Sequence, residues 1–170
     1  MNQRTNKFGQ PIGHPMPDWK PVPRPARTAM DGRYCRLEAF DVERHGAQLY
    51  AAYSENKDGS MWTYMPSGPF LSEEDFLAWM QPAAKSEDPL FHTIIETASG
   101  EAVGQAGLMR IAPDHGVIEV GNIAFSPRLQ RTPVATESMY LLMKRVFDEL
   151  GYRRYEWKCD SCNAPSRRAA

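Results

Sequence analysis

Residues 116–137 place an apolar strand, a short polar turn and the start of a helix in immediate succession. Residues 116–125 have the length and composition of a buried strand. Thr132 followed by Pro133 predicts the helix start, with threonine as N-cap and proline at the first helical position, where a missing N–H costs nothing. Apolar residues at spacings of three and four then predict a buried helical stripe, formed by Met139, Leu142, Met143, Val146 and Leu150.

The chain after this helix predicts a second strand parallel to the first. Gly151 follows the apolar stripe, as expected for a helix that ends in a left-handed conformation. Residues 152–159 alternate aromatic or apolar with charged side chains, a pattern typical of a strand. Strand, helix and strand within about forty residues imply a parallel pair with a right-handed crossover.

The turn before the helix predicts an anion site. Backbone N–H groups at a helix N-terminus, together with the positive end of the helix dipole, favour phosphate groups. Arg131 adds a positive charge beside this turn. A phosphate-carrying cofactor is therefore the first functional hypothesis.

The preceding residues predict further strands and helices. Residues 34–40 are predicted as a strand, residues 42–53 as an amphipathic helix, and Ser72 with Asp75 as the capped start of another helix. Residues 91–97 and 102–111, joined by a turn at 98–101, indicate an antiparallel hairpin. Gly104 and Gly107 within the second strand indicate a bulge or a close backbone approach.

Composition narrows the possible functions. A chain of 170 residues with 42% hydrophobic content fits one globular domain. The net charge of −1 argues against nucleic-acid or membrane partners. The sequence has no signal-peptide pattern and no apolar run of membrane-spanning length, so we expect a cytoplasmic protein. The three cysteines, including Cys159 and Cys162 in C-x-x-C spacing, favour small structural residues over a redox or metal site.

Residues 1–30 are predicted to form an extended, Pro-rich arm rather than a domain. Six prolines lie between positions 11 and 25, a density that disfavours helix. Its apolar side chains could pack on the body or on a neighbouring subunit, and the alternative is a disordered tail. These side chains are Phe8, Ile12, Trp19 and Val22.

Four motifs in a fixed order resemble the GNAT superfamily of N-acetyltransferases, and most closely its RimJ/RimL-like branch. They are Glu119-Val-Gly121, Gln130-Arg-Thr-Pro-Val-Ala135, Ala135-Thr-Glu137 and Asn163-Ala-Pro-Ser166. The resemblance extends over roughly residues 33–170, with residues 31–170 as the acyl-CoA-binding domain. It implies an α/β fold in which a mixed, mostly antiparallel sheet has one parallel strand pair splayed at the cofactor site and helices on both faces.

The resemblance implies an enzyme that moves an acetyl group from acetyl-CoA to a primary amine, either a protein N-terminus or a small amine, by direct attack in a ternary complex. A non-catalytic acyl-CoA-binding module and a protein-interaction module are the alternatives, and a homodimer is possible. Cofactor contacts are expected from two β-strand residues, the turn and the last helix: Ile123, Phe125, Gln130, Arg131, Thr132, Val134, Ala135 and Asn163. Ser166 would protonate the leaving thiolate, and residues 61–70 would line the acceptor groove.

Glu119 is the candidate general base, because an amine must lose a proton before it attacks. Strand alternation would place Glu119 on the same face as Val117, Ile123 and Phe125, where it would be partly desolvated. The alternatives are a carboxylate that pairs with a nearby arginine or faces solvent, and a base that acts through water. An unpaired backbone N–H near residues 122–125 would stabilise the developing oxyanion if the strand bulges there.

Two departures from the family pattern qualify these expectations. Pro133 replaces a glycine of the turn and removes one N–H donor. The sequence ends at Ala170, within the helix expected near Asn163, so we expect that the strands closing the acceptor side are missing. Trp157 could pack against the thioester end of the cofactor, although a core role is favoured.

Overall fold

A six-stranded sheet runs through the described part of the molecule, and its strands lie side by side in chain order. The computed structural model describes residues 3–170. The strands are β1 (Met30–Asp31), β2 (Cys35–Ala39), β3 (Leu90–Glu96), β4 (Ala102–Ala112), β5 (Val117–Phe125) and β6 (Arg154–Trp157). All neighbours are antiparallel except β5 and β6, which are parallel. The predicted mixed sheet with one parallel pair is confirmed.

Within residues 3–170, four α-helices complete the fold: α1 (Val42–Tyr53), α2 (Glu73–Lys85), α3 (Pro133–Lys144) and α4 (Ala164–Ala169). Short 3-10 turns lie at Ser60–Trp62 and Pro113–His115, and a π-helical segment, Arg145–Glu149, extends α3. Each α-helix begins with a side-chain cap that accepts a hydrogen bond from a backbone N–H. These caps are Asp41, Ser72, Thr132 and Asn163. No helix of residues 3–170 is long and apolar enough to cross a membrane.

The sheet separates two hydrophobic clusters. The α3 cluster joins that helix to one face of the sheet and includes Leu37, Ile94, Leu108, Ile118, Val120 and Leu142. The α1/α2 cluster lies on the other face and is rich in aromatic side chains, among them Phe40, Tyr53, Trp62, Phe76 and Phe91. Helices therefore cover both faces, as predicted, and apolar burial of this kind is the main stabilising term of the fold.

The buried stripe of α3 differs in part from the prediction. Leu142 and Val146 are fully buried, as expected, but Met143 is 40% exposed. The stripe instead runs through Ala135 and Ser138, so Met143 falls at its side. The π-helical segment, with its wider turn, could not be predicted from periodicity.

The N-terminal arm lies along the body from Trp19 onward. The indole Nε1 of Trp19 donates to the carbonyl of Asp114 at 2.8 Å, and the N–H of Val22 donates to Pro113. Buried Arg145 donates to the carbonyls of Thr28 and Ala29. Phe8 is 73% exposed and Ile12 is 37% exposed, so these two side chains are not buried against the body. For them, the prediction of packing on the body of the same chain is wrong.

Candidate active site

The N-terminus of α3 forms a turn with unused backbone donors. Thr132 Oγ1 accepts from the N–H of Ala135 at 3.2 Å, and the N–H of Gln130 donates to Ser126 at 3.2 Å. Among residues 3–170, no hydrogen bond uses the N–H groups of Arg131, Thr132 or Val134. Two of the five predicted backbone donors are therefore already engaged within the chain, and three remain for an anion.

Arg131 gives this turn its shape. Its φ of 62° lies in the left-handed region, which non-glycine residues rarely adopt. Thr132 then donates through Oγ1 to the carbonyl of Leu129 at 2.7 Å and closes the turn. The side chain of Gln130 returns to the preceding strand, where Nε2 donates to the carbonyl of Phe125 at 3.0 Å.

The second half of β5 has an open edge. The β5–β6 ladder runs only from Val117 with Arg154 to Val120 with Trp157, and no described strand pairs with β5 on that side beyond it. The N–H of Ser126 donates to Val103 of β4, so the neighbouring Phe125 directs its N–H and C=O away from β4. Ile123, two residues earlier, has the same orientation. This is the expected splay, and it leaves main-chain groups for an extended ligand to pair with.

A bulge in β5 changes which residues share a face. Gln105 of β4 is opposite Ala124 whereas Gly107 is opposite Gly121, so β5 contains one extra residue, and Asn122 has a φ of 50°. The predicted strand distortion is present. The extra residue also shifts the alternation of side chains, so residues after the bulge lie on the face opposite to the one that a period of two predicts. Ile118 and Val120 belong to the α3 cluster before the bulge, and Ile123 and Phe125 pack against the same cluster after it.

The prediction that Glu119 shares a face with Ile123 and Phe125 is therefore wrong. Simple alternation assumes an uninterrupted period of two residues, and the extra residue shifts that period by one position. Glu119 lies on the opposite face. Its side chain is only 6% exposed, so the expected desolvation is present although its neighbours differ.

Two cations share one oxygen of Glu119. Its Oε2 lies 3.0 Å from Arg110 Nη1 and 2.7 Å from Lys158 Nζ. Hydrogen bonds to Glu119 and then to Glu156 raise the pKa of the Lys158 ammonium. The Oε1 atom accepts no hydrogen bond from the described residues, and it lies 3.7 Å from the position that a Cβ on Gly121 would occupy. The free oxygen thus faces the strand beside the bulge.

The segment after β6 brings the two predicted α4 residues to the same end of the sheet. Asn163 caps α4, because its Oδ1 accepts from the N–H of Ser166 at 3.1 Å. The Oγ of Ser166 accepts from Trp157 Nε1 at 2.9 Å. Trp157 is partly buried and packs against the α3 cluster, in agreement with its favoured core role.

The aromatic segment 61–70 covers the α1/α2 side of this region. Trp62 packs edge-on against Tyr53, whose hydroxyl donates to Gln105 of β4 at 3.1 Å. Tyr64 donates to the carbonyl of Cys162, which precedes α4. A cavity of about 240 Å³ lies beside Tyr53, Trp62 and Phe70. The segment therefore borders both α4 and an aromatic cavity.

Sequence reasoning allowed Glu119 to pair with a nearby arginine but did not identify three residues of the site. Lys158 and Arg110 pair with Glu119, and Asp88 holds the backbone of Arg110 through a hydrogen bond of 2.8 Å to its N–H. The alternation of charged residues in 152–159 was the available signal for Lys158. Nothing in the sequence marks the positive φ of Arg110.

Glu137 of the Ala-Thr-Glu motif makes contacts that are structural. Its carboxylate accepts from the backbone N–H groups of Arg33, Tyr34 and Cys35 at 2.8, 2.6 and 2.9 Å. It thereby ties α3 to the turn between β1 and β2. Cys159 and Cys162 are exposed free thiols, and residues 3–170 contain no cluster of three or more His, Cys, Asp or Glu suited to a metal.

An opened strand beside a helix N-terminus with free donors is an arrangement that can hold a long, anionic ligand. The model of the acetyltransferase (GNAT) domain matches residues 36–170 of the sequence. The chain belongs to the GNAT acetyltransferase family.

Solved structures agree with this assignment. The chain is 46% identical to a GCN5-related N-acetyltransferase from Brucella melitensis, with a TM-score of 0.89, over 91% of this chain and 70% of that one. It is 37% identical to a probable GNAT-family acetyltransferase from Chromobacterium violaceum, with a TM-score of 0.84, over 95% of this chain and 80% of that one. A comparison with curated proteins finds no match.

Proposed function

We propose that this enzyme transfers the acetyl group of acetyl-CoA to a primary amine by direct attack in a ternary complex. The observation that carries the proposal is the pairing of an open β5 edge with three unused N–H groups at the start of α3. The family assignment supports acetyl transfer, and the site geometry supports an extended, phosphate-bearing donor. We further propose a RimJ/RimL-like cytoplasmic enzyme whose acceptor is a small amine or a protein N-terminus.

The residues present fit acetyl-CoA. The N–H groups of Arg131, Thr132 and Val134 would hold its phosphates, with Gln130 and Ala135 completing the turn. Ile123 and Phe125 would pair through their main chains with the pantetheine arm, since their backbone groups face the open edge. Asn163 would border the same arm from the start of α4. When bound, the cofactor supplies an acetyl group activated as a thioester.

Glu119 is proposed as the general base. Its Oε1 is available while Oε2 holds two cations, so the carboxylate can accept a proton without first breaking either ion pair. An incoming amine is a cation before deprotonation and is attracted to the same carboxylate. The Glu119 carboxylate therefore both binds the acceptor and takes its proton, directly or through one water.

Two further groups complete the proposed mechanism. The N–H of Ile123, at the bulge, is the donor assigned to the oxygen that gains negative charge during transfer. Ser166 accepts a hydrogen bond from Trp157 and, within the described chain, donates none, so its own proton is available for the leaving thiolate. Trp157 positions that hydroxyl.

Isothermal titration with CoA tests the cofactor site. Arg131→Glu places a negative charge beside the turn, and we expect it to weaken CoA binding about tenfold or more. Lys144→Glu is the matched control, because Lys144 is exposed at the other end of the same helix. Absence of CoA binding by the wild type would refute the proposal.

A thiol-release assay with a panel of amines tests the chemistry. Glu119→Gln should lower turnover by about 100-fold, within the usual range for loss of general base catalysis, while CoA affinity is unchanged. Unchanged turnover would show that Glu119 is not the base. CoA binding without turnover on any amine would instead favour a non-catalytic acyl-CoA-binding module, an alternative consistent with the two ion pairs on Glu119.

A further inference from the structure

Arg110 has a strained backbone that is held in place by another side chain. Its φ is 48°, at a second bulge where β4 has one more residue than β5 between Met109 and Ala112. A non-glycine residue adopts this conformation only when surrounding contacts offset its cost. Asp88 provides them, since its two carboxylate oxygens accept from the N–H groups of Arg110 and Ile111 at 2.8 and 3.0 Å. The bulge and this clamp fix the direction in which the Arg110 side chain leaves the sheet.

That side chain reaches one buried oxygen. The Nη1 of Arg110 donates to Glu119 Oε2 at 3.0 Å, and among residues 3–170 its guanidinium makes no other hydrogen bond. The Arg110 side chain is 61% exposed whereas that of Glu119 is 6% exposed. The remaining guanidinium N–H groups therefore face solvent at the mouth of the proposed active site.

Lys158 shares the same oxygen but is differently placed. Its Nζ lies 2.7 Å from Glu119 Oε2 and 2.6 Å from Glu156 Oε2. When the ammonium group of an acceptor binds Glu119, Lys158 retains Glu156 as a partner. Within residues 3–170, Arg110 forms an ion pair with no carboxylate other than that of Glu119, and the Asp88 carboxylate binds backbone N–H groups instead.

We propose that Arg110 is a specificity-determining residue that binds a carboxylate of the acceptor. The preferred acceptor then carries a primary amine and a carboxylate a few bonds apart, so that the amine meets Glu119 and the carboxylate meets the guanidinium. Planar guanidinium and carboxylate groups suit each other because they can form two parallel hydrogen bonds. This inference rests on the proposed function for the position of the amine. A free α-amino acid and a peptide that begins with aspartate or glutamate share this chemistry.

Matched acceptor pairs test the inference. Steady-state kcat/KM is measured for α-amino acids against their carboxamides, and for peptides beginning with aspartate or glutamate against those beginning with asparagine or glutamine. The wild type should prefer the carboxylate member of one set, and that set shows whether the acceptor is a free amino acid or a peptide. Arg110→Gln should reduce this preference by about 10- to 100-fold, the range of a charge-assisted hydrogen bond, mainly through KM.

Arg154→Gln is the matched control. Arg154 lies on the neighbouring strand β6, pairs with Glu156 and is 60% exposed, close to the value for Arg110. Its substitution should leave the carboxylate preference unchanged. Urea unfolding of both variants verifies that they are folded. An equal loss on carboxylate and carboxamide acceptors in Arg110→Gln, or no preference in the wild type, overturns the inference.

Direct binding separates this inference from the proposed function. Calorimetric titration of the same acids and carboxamides, with and without CoA, requires no turnover. Carboxylate-selective binding that Arg110→Gln abolishes supports the inference even if no acceptor is acetylated, in which case the proposed function fails. Normal CoA binding and turnover without carboxylate-selective binding overturns only the inference.

Discussion

The N-termini of α2 and α3 are capped in the same way but differ in the charge of their first turns. Ser72 and Thr132 each accept from the N–H three residues later. The first turn of α2 contains Glu73, Glu74 and Asp75, whereas the first turn of α3 contains no acidic residue. Acidic side chains already complement the helix dipole in α2. The positive end of α3 has no such charge from its own turn and is left for a bound anion.

Giving the first turn of α3 an acidic residue, as in α2, should have the largest effect, which is a loss of CoA affinity. Pro133→Glu places a carboxylate at the exposed first position of α3, where α2 has Glu73. We expect CoA affinity to fall by about 2–3 kcal/mol, or about 30- to 150-fold, because the added charge repels the phosphates at short range. Calorimetric titration measures the change, with Pro133→Gln as the uncharged control. Equal losses in both variants would show that shape, not charge, matters at this turn.

Removing Glu137, an acidic residue of α3, should destabilise the fold but should not weaken CoA binding. Glu137 lies beyond the first turn and binds the N–H groups between β1 and β2. Glu137→Ala should lower the free energy of unfolding by about 2 kcal/mol, since hydrogen bonds to a charged group are lost. Urea unfolding measures this loss, and CoA affinity of the folded variant should be unchanged.

The same carboxyl gives a pH signature. Burial acts to raise the pKa of Glu137, but the N–H donors of Tyr34, Arg33 and Cys35 outweigh it and lower the pKa below its ordinary value. A lowered folded-state pKa stabilises the protein above the unfolded-state value, and this stabilisation is lost as the pH falls through the folded-state pKa. The stability difference between wild type and Glu137→Gln should therefore shrink on acidification. A constant difference from neutral to acidic pH would contradict this.

The two caps should have equal effects on stability and unequal effects on function. Ser72→Ala and Thr132→Ala each remove one side-chain cap, which costs about 1 kcal/mol in unfolding experiments. Only Thr132→Ala should also weaken CoA binding, because Thr132 shapes the turn through its bond to Leu129. Weaker CoA binding in Ser72→Ala would remove the distinction between the two helix starts.

Neutralising the α2 acids should have the smallest effect. Glu73→Gln combined with Glu74→Gln should reduce stability by about 0.5 kcal/mol at low ionic strength, because the exposed charges interact weakly with the dipole. Added salt should diminish the loss. Urea unfolding at two salt concentrations measures it, and a loss that is independent of salt would point to packing.

The sequence predicted the elements whose signals are local. The amphipathic period of α1 predicted 42–53, and the observed helix has these bounds. Thr132 and Pro133 marked the start of α3, and Gly151 has the predicted positive φ, at 76°. Caps, turns and periodic stripes each depend on a few neighbouring residues, so they can be recognised before the fold is known.

Features that depend on contacts between residues far apart in the sequence could not be predicted in this way. The sequence gives no mark for the bulge at Arg110, and the distortion expected near residues 122–125 could not be assigned to Asn122 in advance; both place a non-glycine residue at positive φ. They decide the face of Glu119 and the direction of Arg110. The ion pairs of Glu119 also join residues of β4, of β5 and of the segment after β6, so alternation along β5 alone could suggest its burial but not which residues pair with it.

The arm is attached to the body mainly through main-chain oxygens. Trp19 donates to Asp114, Arg24 to Ile111 and Glu87, and Arg27 to Ala84 and Ser86, in each case at the backbone carbonyl. A carbonyl is present whichever side chain a residue carries. The body can therefore change its side chains at these positions over evolutionary time without losing this attachment, whereas the donors on the arm have no such freedom.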